Sequence, residues 1–257
     1  SIEQAYNTAR ALNPNLIMLG EGWVTYAGDE NSPVQPADQS WMKDTDTVAV
    51  FSDDIRNTLK SGYPNEGTPA FITGGKRDIN KVFDNIKAQP TNFEADSPGD
   101  VIQYIAAHDN LTLFDIIAQS IKKDPSKPEN NAEIHRRLRL GNLMVLTAQG
   151  TPFIHSGQEY GRTKQFRDPA YRYPVSEDKV PNKSHLLVDE KGNPFDYPYF
   201  IHDSYDSSDA VNHFDLKLKA SVDLRRAINP LVKARVFVFS GKAWLSVALV
   251  QSKWLTA

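Results

Sequence analysis

Two carboxylate-bearing motifs have the residue types that acid–base chemistry needs. Glu21 lies between two glycines and is followed by Trp23, and Asp109 directly follows His108. The glycines let the backbone approach a bulky ligand closely, and the indole offers an apolar face on which a sugar can stack. The histidine can donate hydrogen bonds to hydroxyl groups and the aspartate can accept them. Together the motifs predict glycoside hydrolysis, in which one carboxylic acid protonates the leaving oxygen and another carboxylate attacks or stabilises the sugar cation.

Each motif also has a structural interpretation. Gly-Glu-Gly can be a loop without chemistry, and a His-Asp pair can cap a helix or bind a metal. Asp53 and Asp54 are best explained as the start of a helix, and Glu159 as a residue that supports the wall of the site. No metal site is predicted, because the remaining histidines show no ligand spacing around a shared centre: His135, His155, His185, His202 and His213.

The polar motifs follow short apolar runs that alternate with helical patterns. Strands are expected at residues 16–19, 48–51, 101–107 and 152–154, and helices at 2–12, 54–60, 79–88, 111–122 and 132–148. This alternation predicts an α/β fold built from βα units around a parallel sheet, with strands buried on both faces. Because barrel enzymes build their sites where the strands end, Glu21 and Asp109 are expected at one rim.

The second half of the chain changes character. Residues 168–203 are rich in proline, tyrosine, asparagine and charge, which predicts an irregular surface loop on the side of the site. Further on, residues 216–228 can form a helix, and residues 236–239 and 245–250 can form strands. The expected domains are therefore a catalytic unit at 1–215 and an atypical tail at 216–257.

The composition excludes several classes of protein. The chain has 257 residues, of which 40% are hydrophobic and 24% charged, as in folded globular proteins. The net charge of -3 offers no basic surface for nucleic acid or an anionic membrane, and no apolar run is long enough to span a bilayer. The absence of cysteine excludes thiolate metal sites and cysteine nucleophiles.

Several segments resemble a known family. Residues 17–23 resemble the acid/base motif of the α-amylase superfamily, and residues 104–110 resemble its histidine–aspartate motif. The resemblance is closest to the type I pullulanases, especially the surface pullulanases of streptococci. Residues 50–56, 150–160 and 203–212 agree with that family in the same order.

The resemblance implies a partial (β/α)₈ barrel, namely its second half with about four βα units. It implies that the parent enzyme is a retaining hydrolase that cleaves α-1,6 branch linkages in pullulan, glycogen or limit dextrins. Glu21 would be the general acid/base, Asp109 the transition-state stabiliser and His108 a donor to the glucose at the cleavage point. The residues expected along the cleft are Trp23, Tyr205 and Asn212. No cofactor is implied; calcium occurs in the superfamily, but no site for it is predicted here.

One part of the family pattern is missing. Its nucleophilic aspartate belongs to a Gly-Phe-Arg-Phe-Asp type motif on the preceding strand, and no such motif precedes Glu21. The isolated chain is therefore expected to be an inactive fragment that begins after the nucleophile strand and lacks the first half of the barrel. Half a barrel would leave two open sheet edges and would be unstable or would associate.

Two alternative functions remain open. The chain could bind α-glucan without catalysis, or it could derive from an isoamylase, a branching enzyme or an amylase. Enzymes of the type I pullulanase family are often secreted or attached to Gram-positive cell walls, so the resemblance implies an extracellular or cell-surface location.

Overall fold

The computed structural model describes residues 1–23, 29–31, 33, 37–217 and 247–248. Its strands are β1 (Leu19–Gly20), β2 (Ala49–Phe51), β3 (Val101–Gln103), β4 (Thr151–Ile154), β5 (Ser184–Val188), β6 (Pro194–Ile201) and β7 (Val247–Ala248). Its helices are α1 (Ile2–Leu12), α2 (Asp53–Lys60), α3 (Ile79–Ile86), α4 (Leu113–Ile121), α5 (Pro128–Thr147) and α6 (Asp209–Asn212). None of these helices has both the length and the apolar character needed to cross a bilayer.

The main sheet has the order β1-β2-β3-β4-β7, in which the first four strands are parallel. Adjacent strands stay in sequence order, with α2 and α3 between β2 and β3, and α4 and α5 between β3 and β4. The predicted α/β fold with a parallel sheet is therefore confirmed. Because the strands are parallel and adjacent, the residues that follow β1 and β3 emerge at the same edge of the sheet.

The hydrophobic core lies on the β3–β4 side. Helix α4 carries apolar residues all round, and Ile116 and Ile117 are fully buried. Its first turn is capped by Thr112, whose hydroxyl accepts a hydrogen bond from the Asp115 backbone at 3.2 Å. Helix α5 starts with proline at its first position, where no backbone donor is lost, and buries one face at helical spacing through Ile134, Leu138, Gly141, Asn142 and Val145.

The first βα unit differs from its prediction. Helix α1 has the predicted bounds, but none of its residues is buried. Strand β1 has two half-buried residues and pairs only with β2 among the described strands, so the expectation of burial on both faces is wrong here. Ile17 just before it is 42% exposed. An edge strand has one neighbour, which leaves part of its apolar surface uncovered.

Two further expectations need correction. The loop expected at 168–203 contains an antiparallel hairpin, β5–β6, with Ser184 opposite Ile201. The second edge does not lie at β4, because β7 pairs antiparallel with β4, with Phe153 opposite Ala248; among the described strands the sheet ends at β1 and β7. Strand β7 lies within the strand predicted at 245–250; the helix predicted at 216–228, except its first two residues, and the strand predicted at 236–239 lie outside the described residues.

Candidate active site

The candidate catalytic residues meet at one rim of the sheet. Glu21 follows β1 directly, and His108 and Asp109 follow the buried segment that continues β3. They line an open cleft of about 460 Å³. The residues that line it are Glu21, Trp23, Phe51, Arg56, Lys60, Tyr104, Ala106, Ala107, His108, Asp109, Asn110 and Phe153.

Three polar groups form the centre of this cleft. His108 Nε2 lies 3.5 Å from Asp109 Oδ1 and 4.0 Å from Glu21 Oε1. One ligand atom from each of the three residues lies within 4.8 Å of the other two, so this group could also hold a metal ion. The side chains of His108, Glu21 and Asp109 are 53%, 49% and 40% exposed, so a substrate can reach them.

Tyr205 reaches the same centre from the segment after β6. Its hydroxyl donates to Asp109 Oδ1 at 2.5 Å, and its ring packs edge-to-face on His108 with centroids 5.7 Å apart. Lys183 lies 5.4 Å from the ring centroid. Desolvation and then the hydrogen bond to Asp109 raise the pKa of Tyr205, which keeps the phenol protonated as a donor.

Of the other two residues predicted to contact substrate, Trp23 lines the cleft and Asn212 does not. Trp23 is half-buried and lines the cleft beside Glu21. Asn212 is not among the cleft-lining residues; its side-chain amide donates to the carbonyls of Ser204 at 2.7 Å and Ser207 at 3.1 Å. Asn212 therefore holds the loop that carries Tyr205.

The two glycines beside Glu21 have different surroundings. A Cβ on Gly22 would lie 2.5 Å from Val50 Cγ2 and 2.8 Å from the Gln39 backbone nitrogen, whereas a Cβ on Gly20 would meet nothing within 4 Å. The space at Gly22 is thus filled by protein rather than left for a ligand. Only Gly20 fits the expectation that the glycines admit a ligand.

Sequence reasoning missed the aromatic floor of the cleft. Phe51 packs edge-to-face on Tyr104 and on Phe153, with centroids 5.0 and 5.1 Å apart. Arg56 donates to the Tyr104 hydroxyl at 2.8 Å. Burial raises the pKa of Tyr104 to about 12, so this hydroxyl stays neutral. The three rings stand at or near the ends of three adjacent strands, a position that could have identified them.

A buried lysine also lines the cleft. Lys60 at the end of α2 is 2% exposed, and its ammonium lies 3.2 Å from Glu66 Oε1. Burial lowers the pKa of Lys60, against the charge of Glu66, which raises it. A lysine in the last turn of a helix is ordinarily a solvated residue, so the sequence held no signal for this role.

Buried polar groups support the rim from behind. Burial lowers the pKa of His155 to about 3, with help from the charges of Arg162 and Lys164. Burial also lowers the pKa of Lys164 to about 8. Asp115 is fully buried and accepts from the Thr163 hydroxyl at 2.6 Å and the Lys164 backbone at 2.8 Å, which ties the segment after β4 to α4. Burial raises the pKa of Asp115 to about 6.

The other acidic candidates have structural partners. Asp54 Oδ1 lies 2.6 Å from Lys81 Nζ, and Asp54 Oδ2 accepts from Asn85 and from Thr91. Burial would raise the pKa of Asp54, but these partners lower it below its ordinary value. Asp53 accepts from Gln39 at 3.0 Å, as expected for a structural role.

No family model matches the chain. Among curated proteins, it is 87% identical over 215 residues to Pullulanase A of Streptococcus pneumoniae serotypes 2 and 4, a match that covers 84% of this chain and 17% of theirs. It is 28% identical over 177 residues to pullulanase of Bacillus subtilis, covering 64% of this chain and 22% of that protein. The chain thus spans about a sixth of the length of the pneumococcal relatives.

Solved structures of streptococcal pullulanases are also similar to this chain. The catalytic module of SpuA, described as a multi-modular glycogen-degrading pneumococcal virulence factor, matches with 85% identity and a TM-score of 0.83 over 86% of this chain and 31% of that chain. The Group B Streptococcus pullulanase SAP matches with 67% identity and a TM-score of 0.79 over 86% of this chain and 28% of that chain. Over its matched residues the chain is therefore similar to one part of the streptococcal pullulanases.

Proposed function

We propose that this chain carries one part of the active site of a retaining hydrolase that cleaves α-1,6 branch linkages in α-glucans. The observation that carries the proposal is the group of Glu21, His108 and Asp109, whose ligand atoms lie within 4.8 Å of one another in an open cleft. The distance that separates retaining from inverting enzymes is the one between the acid and the nucleophile, and the nucleophile is not among these three residues. The retaining class is therefore proposed from the resemblance to the type I pullulanases.

Each residue of the centre has a distinct part in the proposed reaction. Glu21 is the general acid/base that protonates the leaving oxygen and later activates water. Asp109 stabilises the positive charge that develops on the sugar in the transition state. His108, between them, donates to a sugar hydroxyl.

The substrate contacts follow from the walls of the cleft. Trp23 lines the cleft and offers a face for sugar stacking, and Phe51, Tyr104 and Phe153 form an apolar floor. Tyr205 contacts Asp109 from beside the cleft. Asn212 acts indirectly, because its amide fixes the loop that carries Tyr205. The proposed acid–base steps require no cofactor.

The fold supports a partial barrel. We assign residues 1–215 to the second half of a (β/α)₈ barrel and 216–257 to an atypical tail, of which β7 joins the sheet. Four adjacent parallel strands, with α-helices between β2 and β3 and between β3 and β4, support this assignment. No arginine–aspartate motif of the nucleophile strand occurs before Glu21 in this sequence. The chain by itself therefore binds one side of the substrate but does not complete the covalent step.

The relatives suggest the substrate and the location. SpuA is described as glycogen-degrading, and SAP has been solved in complex with maltotetraose. We extend an α-glucan substrate, namely glycogen, pullulan or limit dextrins, to the proposed hydrolase. SpuA is also described as a virulence factor, which fits an enzyme that works outside the cell or on its wall.

The test uses a chimera in which this chain replaces its matching segment in the catalytic module of pneumococcal Pullulanase A. Glu21→Gln should lower pullulan hydrolysis by about 10²- to 10⁴-fold, the usual contribution of a general acid. The same variant should keep most of its first-turnover rate of fluoride release from α-maltosyl fluoride, because fluoride leaves without protonation, although later turnovers still need Glu21 to activate water. Asp109→Asn should lose the first-turnover rate on both substrates. Equal first-turnover losses of Glu21→Gln on both substrates would contradict the acid role.

A further inference from the structure

We propose that Asp203 is the positioning residue for Asp109: it fixes the backbone after Asp109 and is the alternative acceptor for the Tyr205 hydroxyl that Asp109 holds in the free site. The role rests on the function proposed for Asp109. Asp203 lies just after β6, far along the chain from β3, and its side chain is 27% exposed.

The first contact fixes the backbone beside Asp109. Asn110 has a φ of +59°, a left-handed conformation that asparagine adopts more readily than most residues other than glycine. Its backbone N–H donates to Asp203 Oδ1 at 3.0 Å. A hydrogen bond to a carboxylate is charge-assisted, and is about twice as strong as a neutral one. Asp203 thus fixes the backbone of the turn that directly follows Asp109.

The second contact concerns one shared proton. The Tyr205 hydroxyl lies 2.5 Å from Asp109 Oδ1 and 3.1 Å from Asp203 Oδ1. A phenol has a single hydrogen, so it donates to one carboxylate at a time. In the free site the shorter contact is to Asp109.

This geometry gives Asp203 a part in substrate binding. A sugar hydroxyl that binds Asp109 Oδ1 would take the place of the Tyr205 hydroxyl there. Tyr205 is 59% exposed, so the displaced hydroxyl can turn either to water or to Asp203. Because Asp203 already lies within hydrogen-bond distance, Tyr205 can turn to it and keep its bond, which frees Asp109 at little cost.

Polar groups of the site surround both carboxylate oxygens of Asp203. His202 Nδ1 lies 3.4 Å from Asp203 Oδ2, and the charge of Asp203 acts on the buried Lys164. The other oxygen is occupied by Asn110 and Tyr205. Both oxygens of Asp203 therefore face fixed groups of the site.

The first test measures the backbone contact in this chain and needs no turnover. In Asp203→Asn, the amide ¹H resonance of Asn110 should move upfield and its hydrogen exchange should become about tenfold faster, because a neutral amide is the weaker acceptor. Asp206→Asn is the matched control, since it removes the same charge from the same loop, where Asp206 pairs with Lys183. An Asn110 amide that is unchanged in Asp203→Asn, or changed equally in the control, would overturn the proposal.

The second test is a double-mutant cycle in the Pullulanase A chimera. Asp203→Asn should raise KM for pullulan by about tenfold when Tyr205 is present, and the cycle is completed with Tyr205→Phe, which keeps the ring and removes the competing hydroxyl. In the double variant the loss due to Asp203→Asn should largely disappear, because no hydroxyl needs an acceptor. Additive losses would overturn the shared-proton role. A chimera without turnover would refute the proposed function, while the amide measurement would still decide whether Asp203 positions Asn110.

Discussion

The two strands that carry the candidate catalytic carboxylates are anchored very differently. Val101 and Ile102 of β3 are fully buried, with parallel neighbours on both sides. Strand β1 has one neighbour and two half-buried residues, and the helix before it buries none of its own. Asp109 thus stands on the core of the molecule, whereas Glu21 stands at its edge.

This difference shows which half of the chemistry the chain organises by itself. Asp109 is held by β3, by the turn at Asn110 and by the loop that carries Tyr205. Glu21 is held mainly through Gly22, whose carbonyl accepts from the Gln39 backbone at 3.1 Å. A general acid must be placed to within a fraction of an ångström, so the β1 side needs further packing before Glu21 can work.

The largest effect should come from deleting core volume on the packed side. Ile117→Ala in α4 should lower the free energy of unfolding by about 2–5 kcal/mol, because it leaves a cavity in a fully buried cluster. Leu12→Ala in α1 is the matched change, and since Leu12 is 88% exposed, it should stay within about 0.5 kcal/mol. Urea denaturation followed by circular dichroism measures both. Equal losses would show that α1 is as well packed as α4.

The packed side should also carry a distinct acid sensitivity. Burial lowers the pKa of His155 to about 3, so between about pH 6.5 and pH 3 the unfolded chain binds a proton at this residue that the folded chain does not bind. The stability that the folded chain has from an uncharged His155 is fully present above pH 6.5 and is lost as the pH falls from there towards 3. The loss should be on the order of 2 kcal/mol, less than the full shift implies, because the ring is partly exposed.

His155→Gln is the variant that tests this sensitivity. Urea midpoints measured between pH 7 and pH 4 should fall less steeply for the variant than for the parent chain. The carboxyl of Asp115 acts in the opposite direction, since its raised pKa removes stability as the pH rises from about 4 to 6. Identical pH slopes for the variant and the parent would refute a buried neutral His155.

A smaller effect should separate the two glycines beside Glu21. Gly22→Ala should lower the free energy of unfolding by about 1–3 kcal/mol, because its Cβ would overlap Val50 and the Gln39 backbone. Gly20→Ala should change it by less than about 0.5 kcal/mol, since the space there is open. In the chimera Gly22→Ala should also lower kcat. If both variants behave alike, Gly22 is not the contact that holds Glu21.

The sequence predicted the features of the fold and site that depend on local patterns of residues. The bounds of α1, the order of the parallel strands and the placement of Glu21, His108 and Asp109 at one rim all follow from periodicity and from polar residues at strand ends. The hairpin β5–β6 was missed because proline and charge conceal its alternation. The turn Asp189–Asn193, closed by Gly192 at a φ of +82°, was the available signal.

Contacts made over long chain distances were beyond local reasoning. Tyr205 and Asp109 are 96 residues apart, and Asn110 and Asp203 are 93 apart. Only the folded chain shows that the carboxylate of Asp203 contacts both Asn110 and Tyr205. The same holds for Lys60, whose burial depends on the segment that brings Glu66 beside it.

The most direct test is reducing-sugar release from pullulan by this chain alone, beside the Pullulanase A chimera that carries its 215 matched residues. The account predicts no release by the chain alone, turnover by the chimera, and loss of that turnover in Glu21→Gln. Release by the chain alone would contradict it, because a carboxylate assigned here to structure or to charge stabilisation would then have to be the nucleophile.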